Sequence, residues 1–205
     1  MSAGSSAVLS AGPASGDSRR IGVLFMIGSA CFAIASLPAA SSVSAVAVGI
    51  TYFVGSLFFT TAAFEQLRVA RGTGEEVWAA GIQFVGTLLF NVSTFTGMTD
   101  ALNGRGDLLV WPSDAVGSAC FLVSSVLAEI AVWGALVPAR RSATLNLIGS
   151  IAFGISAAAA YVIPNTDEVL NASLATSGTL VGALCFYWAA RVLVKPPPWL
   201  RPRPR

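Results

Sequence analysis

Histidine is absent from this 205-residue chain, lysine occurs once, as Lys195, and charged residues make up only 11% of it, against roughly a quarter in an ordinary soluble domain. Without imidazole, and with the single lysine in a Pro-rich tail, catalytic triads, imidazole metal sites and Gly-Lys-Ser phosphate loops lack their reacting groups. No activated nucleophile and no pair of aspartates stands within an apolar run, so the sequence offers no catalytic residue, cofactor or metal site and reads as a non-enzyme. Lys+Arg at 12 nearly balance Asp+Glu at 10, which leaves no basic footprint for nucleic acid. Cys31, Cys120 and Cys185 each lie inside an apolar run and read as small buried residues, neither disulfides nor metal ligands.

Apolar residues are what the chain has, at 55%, and that composition excludes a water-soluble globular domain. A helix needs about 20 apolar residues to cross the hydrocarbon core. Six stretches reach that length: Ile21 to Ala39, Ala45 to Phe64, Val77 to Met98, Ala115 to Leu136, Leu145 to Ile163 and Leu170 to Ala190. Only the fourth carries an interior charge, Glu129. Pro38, Trp111-Pro112, Pro138 and Pro164 punctuate their ends. The expectation is an all-α polytopic membrane bundle of six transmembrane helices over residues 19–194. A Ser/Ala/Gly-rich disordered tail, residues 1–18, precedes it, and a basic Pro/Arg tail, residues 195–205, follows. Arg19-Arg20 before an apolar run also fits a signal peptide, but the long polar lead and a repeat shared with the other helices favour a retained first helix.

Six spans put Arg19, Arg20, Arg68, Arg71, Arg140, Arg141, Arg191, Lys195, Arg201, Arg203 and Arg205 on one side and Arg105 alone on the other. The positive-inside rule then places both termini of a multi-pass chain in the cytoplasm.

Each helix repeats a branched residue, Gly, a small residue, two further positions and an aromatic ring. The glycines are Gly28, Gly55, Gly86, Gly117, Gly149 and Gly182, and the rings are Phe32, Phe59, Phe90, Phe121, Phe153 and Phe186. Gly and Phe four apart share a helical face as a notch beside a knob. Lipid supplies no hydrophobic drive for association, so these glycines are expected to be packing contacts, with Gly178 joining Gly182 in the sixth helix. The first and fourth helices share Gly-Ser-Ala-Cys-Phe, which suggests two inverted three-helix halves of the kind transporters use. A single-helix repeat that has drifted in sequence fits as well.

The recurring Gly-Ser-x-x-Phe segments, at Gly28, Gly55 and Gly149 with their relatives, resemble the bacterial YrhK-like membrane domain, a small helix-hairpin family. The chain is several hairpins long where that domain is about one. The resemblance implies helical hairpins in the plasma membrane of a bacterium, and it brings neither a substrate nor a functional residue.

Polar residues inside spans are expensive and mark candidate sites. Glu129 and Gln83 fall at similar depth from the cytoplasmic side, with Glu65, Gln66, Asn146 and Arg191 nearer that surface. Gln83, Thr87 and Asn91 form a stripe at i, i+4 and i+8 that should face the bundle interior. The candidate intramembrane polar site is therefore Glu129, Gln83, Asn91, Arg191 and Glu65. Glu129 is expected near Gln83, either titrating in a pathway or paired with Arg191; Glu65 is the other acid placed to pair with Arg191. Trp78, Trp111, Trp133, Trp188 and Trp199 suit an interfacial belt. Two functions follow: a small transporter or channel-like bundle, or a non-catalytic scaffold or accessory subunit. The bilayer is the first partner of either, and a membrane protein or a second copy of the chain is the next.

Overall fold

A computed structural model of the protein describes residues 16–42, 44–70, 74–103, 109–135, 137–164, 166 and 168–194. The C-terminal tail and most of the N-terminal tail lie outside them, as do Arg71, Arg105 and Trp199. The helices are α1 (Gly16–Ala35), α2 (Ala45–Val69), α3 (Gly74–Asn103), α4 (Val110–Ala131), α5 (Val137–Ala159) and α6 (Ala172–Val194). All six are long and apolar enough to cross a membrane, so the chain is a multi-pass membrane protein in fold. A short 3-10 turn, Pro38–Ser42, follows α1, and Val162 and Val169 form an isolated antiparallel bridge between α5 and α6.

Several helices outrun their apolar windows. Hydrocarbon thickness sets the window, whereas backbone hydrogen bonding continues into the interface as long as each N–H finds its i−4 carbonyl. Thus α2 runs on through Arg68, and α5 begins at Val137. Pro138 accordingly stands in the first turn of α5, where its missing N–H has no intrahelical partner to lose, and does not close α4. The α4 to α5 connection instead turns through Gly134, whose φ of +86° favours a residue without a β-carbon. Asn171 caps α6, its side-chain oxygen accepting from the Leu174 N–H at 2.9 Å.

Each helix packs on its chain neighbours, and α6 closes on α1, so the six form a ring in chain order. Every adjacent pair is antiparallel: Arg20 at the start of α1 meets Glu65 near the end of α2, Phe64 of α2 meets Phe84 near the start of α3, and Trp111 of α4 meets Ala157 of α5. Both α1's start and α6's finish therefore lie at one end, termed here the terminal end; the other is the far end. Viewed along the ring, the helices succeed one another in a single rotational sense. A two-fold axis in the membrane plane would reverse that sense on carrying α1–α3 onto α4–α6. The ring order thus excludes the inverted halves, and the repeating unit is the single helix, paired into the hairpins α1–α2, α3–α4 and α5–α6.

The six motif phenylalanines meet on the ring axis, each 5% exposed or less. Phe32, Phe90 and Phe153 of the odd helices form one triangle, with ring centroids 6.4, 5.8 and 6.0 Å apart. Phe59, Phe121 and Phe186 of the even helices form a second, at 6.2, 5.6 and 6.1 Å. Within each hairpin one ring of each triangle touches the other, Phe32 on Phe59 at 5.4 Å, Phe90 on Phe121 at 5.0 Å and Phe153 on Phe186 at 5.2 Å. The arrangement is a trigonal prism of rings, mostly tilted or edge-to-face, the geometry that aromatic quadrupoles favour. Its threefold axis is the bundle axis.

The glycines make the prism possible by drawing the two helices of a hairpin together. A β-carbon on Gly28 would stand 2.9 Å from the Gly55 carbonyl oxygen, and one on Gly149 would stand 3.1 Å from that of Gly182. Gly178 is equally close, 3.0 Å from the Ala152 carbonyl oxygen by the same measure.

Candidate functional site

The position seven residues before each phenylalanine lies two turns away on the same helical stripe. Because neighbours are antiparallel, these positions divide between the ends. Phe25, Gln83 and Asn146 of the odd helices stand on the terminal side of the prism, and Tyr52, Asp114 and Thr179 of the even helices stand on the far side. Contacts bear out this register. Phe25 packs on Phe59 at 5.8 Å, and Tyr52 packs edge-on against Phe32 at 5.3 Å, so the odd triangle faces the far end. Hydroxyls surround the far side. Tyr52 shares a 2.7 Å hydrogen bond with Ser36, and Thr179 shares one of 2.7 Å with Ser156.

Asp114 is the charged member of the axial set. The apolar windows leave it in a loop, but α4 begins at Val110 and carries it inside the span. It is partly accessible and interacts electrostatically with Tyr52 across the bundle. Sequence reasoning missed the axial set because its members, from phenylalanine to aspartate, make no recognisable stripe on any one helix. Alignment on the six phenylalanines would have found it.

The expected polar site is not one cluster. Gln83 accepts from Ser124 of α4 at 3.3 Å, and Asn91 donates to Thr60 of α2 at 2.9 Å. Thr87 is fully buried, so the stripe does face the interior. Its members serve different seams, and the Asn91 side-chain oxygen is buried without a partner. Glu129 lies on the α4–α5 seam, where the Thr144 hydroxyl is 3.2 and 3.3 Å from its two oxygens. Among the described residues it forms no hydrogen bond or ion pair with Gln83 or Arg191. Glu65 pairs with Arg20 at 3.0 Å and Arg68 at 3.3 Å instead of Arg191, tying the start of α1 to the end of α2. Those pairs are local in sequence or across one seam, whereas Arg191 sits on α6.

The small residue after the glycine is fully buried in five of the six repeats: Ser29, Ser56, Thr87, Ser150 and Ala183 are each 0% exposed, and Ser118 is 2% exposed. These residues line the seams between hairpins. Ser56 bonds Thr94 at 2.9 Å and Ser150 bonds Ser125 at 2.7 Å, in both cases a hydroxyl four residues past the neighbouring phenylalanine. At the α6–α1 seam that position is Ala190, and the Ser29 hydroxyl is correspondingly orphaned.

Trp78, Trp133 and Trp188 are exposed toward helix ends, as an interfacial belt requires. Trp111 instead turns inward, donating to the Ala157 carbonyl at 2.9 Å and packing edge-on to Tyr161. Among the described residues no three His, Cys, Asp or Glu side chains converge as a metal site. The axis itself is polar at each side of an aromatic seal. No protein-family model matches the chain, and no curated protein and no solved structure matches it either.

Proposed function

We propose that the protein is a non-catalytic membrane scaffold or accessory subunit, a rigid bundle sealed along its own axis. The phenylalanine prism carries this reading. Six rings in mutual contact leave no aqueous path, and opening one would forfeit several aromatic contacts worth about 0.5–1.5 kcal/mol each. Unbroken helices held by glycine notches support it further, because alternating access generally relies on discontinuous helices at the midplane. The described arginines, Arg19, Arg20, Arg68, Arg140, Arg141 and Arg191, all lie toward the terminal end, which supports cytoplasmic termini in a bacterial plasma membrane. The three hairpins also suit the resemblance to YrhK-like hairpin domains, as three such units fused in one chain. A scaffold acts through a partner, here a second membrane protein or a second copy of the chain.

The second reading, a channel-like bundle, draws on the polar axial residues at both sides of the prism. Aromatic constrictions can gate by excluding water. Proteoliposomes loaded with a proton- or sodium-sensitive dye separate the two. The scaffold reading expects no flux above that of protein-free vesicles, with a leak appearing only when Phe59→Ala and Phe121→Ala are combined. Flux through the parent protein would replace it with the channel reading.

A further inference from the structure

We propose that the outer edge of the α4–α5 seam, at the terminal end, binds the headgroup of a phospholipid that joins a phosphate to a primary ammonium, as phosphatidylethanolamine does, with Glu129 taking the ammonium and Arg140 the phosphate. Four side chains are tied together there. The Thr144 hydroxyl lies 3.2 and 3.3 Å from the Glu129 oxygens and 3.0 Å from the Arg140 carbonyl, and the Arg140 guanidinium sits over the Trp133 ring, 5.6 Å from its centroid. This edge faces the surroundings of the bundle and not its axis. Arg140 and Thr144 are exposed, Trp133 is 77% exposed, and Thr144 continues the outward stripe of Ile148, Ile151 and Ile155. Glu129 stands in the last turn of α4, which ends at Ala131, and Arg140 in the first turn of α5, which begins at Val137. Both therefore lie at the level of lipid headgroups and not deep in hydrocarbon.

The protein leaves both charges unmatched. Among the described residues no ion pair reaches Glu129 or Arg140. Thr144 has one hydroxyl hydrogen to share among three acceptors, whereas a carboxylate alone offers about four acceptor sites.

The placement of charge along the helices points the same way. A helix favours acids at its start and bases at its end, because its peptide dipoles leave the start positive and the end negative. At the terminal end α1 and α3 begin with Asp17 and with Glu75 and Glu76, and α2 and α6 finish with Arg68 and Arg191. The α4–α5 pair reverses this order. Glu129 adds to the negative end of α4, and Arg140 adds to the positive end of α5. Two adjacent helix ends so charged form a dipole that complements a zwitterion lying across them. A quaternary ammonium has no hydrogen to donate to Glu129 and is held best by aromatic faces, whereas the Trp133 ring here carries Arg140. A glycerol headgroup brings no cation and would leave the carboxylate unmatched.

The test follows thermal unfolding of the purified full chain in non-ionic detergent micelles as dioleoyl phosphatidylethanolamine is titrated in, with the phosphatidylcholine and phosphatidylglycerol of the same acyl chains as comparisons. The expected result is a saturable rise of a few degrees in Tm with phosphatidylethanolamine and none with the other two. Glu129→Gln and Arg140→Gln should each abolish the rise, and Glu76→Gln should keep it. If either variant does not fold, Trp133→Leu provides the second arm, since it removes the ring that positions the guanidinium and should raise the lipid fraction needed for half the effect. Equal rises with phosphatidylethanolamine and phosphatidylcholine, or no rise with any lipid, overturn the proposal. So does a Glu129→Gln or Arg140→Gln protein with the parent's response, and so does a rise with phosphatidylglycerol alone, which would mean that the arginines bind phosphate without the amine.

Discussion

Gly86 and Gly117 face each other across the α3–α4 contact so closely that a β-carbon on either would stand 3.1 or 3.2 Å from the other's carbonyl oxygen. The same reciprocal approach recurs in the other two hairpins. Backbone contact of this kind is the main source of cohesion open to helices in lipid.

The first prediction contrasts two glycines. Gly117→Ala should lower the unfolding midpoint in a detergent titration, because the new methyl also lies 3.0 Å from the Phe90 ring. Gly154 has nothing within 4 Å of its β-position, so Gly154→Ala should stabilise α5 by roughly 0.5–1 kcal/mol through reduced backbone freedom. Equal effects of the two changes would refute the packing account.

Ser29 leads to a second. Removing its unpartnered hydroxyl in Ser29→Ala should be neutral or stabilising, against the usual cost of deleting a buried polar contact. Ala190→Ser should supply the missing partner and stabilise by about 1 kcal/mol, an effect that disappears in the Ser29→Ala background. Double-mutant cycles on thermal midpoints measure it.

Glu129→Gln should leave the folded yield unchanged, since the Thr144 hydroxyl can still donate to the remaining carbonyl oxygen. Coupling between Glu129→Gln and Arg191→Gln should be below about 0.5 kcal/mol, the range expected for sites that are not in direct contact. A larger coupling would restore the ion pair that the sequence suggested.

Phe121 touches Phe59, Phe90 and Phe186. Phe121→Ala should destabilise by about 3–5 kcal/mol, the usual cost of emptying a buried aromatic site. Because Phe90 loses its contact in the same event, Phe90→Ala with Phe121→Ala should cost less than the sum of the two. Additive losses would mean that the rings pack independently.

Helix number, helix placement and the six glycines at which paired helices approach closely were legible from the sequence, because spans are set by bilayer thickness and a notch needs only local spacing. Ring closure was not. Contact between α1 and α6 joins segments about 150 residues apart, and nothing local in Gly22 or Ala190 announces it. The identical run at Cys31 and Cys120 pointed to halves because it compared sequence without handedness. Glu129 drew notice as the one charge in an apolar window, whereas Asp114 was hidden by a boundary drawn at Ala115, inside the helix that begins at Val110. Hydropathy reports the solvent around a residue, and both acids differ chiefly in which protein neighbours surround them.

A closed ring with every neighbour antiparallel obeys a parity rule: it accepts or loses members only in pairs. Size is constrained just as firmly. At helix spacings of roughly 8–10 Å a hexagon places its helix axes the same distance from the centre, and the Cα radius of about 2.3 Å brings each phenylalanine within reach of the middle. An octagon at that spacing would move the helices out to roughly 10–13 Å and leave an open lumen. Four helices would crowd their rings out of the centre. Six is therefore the count at which one aromatic residue per helix fills the axis, so an added hairpin would turn a plugged cylinder into a tube without any change in the repeat itself.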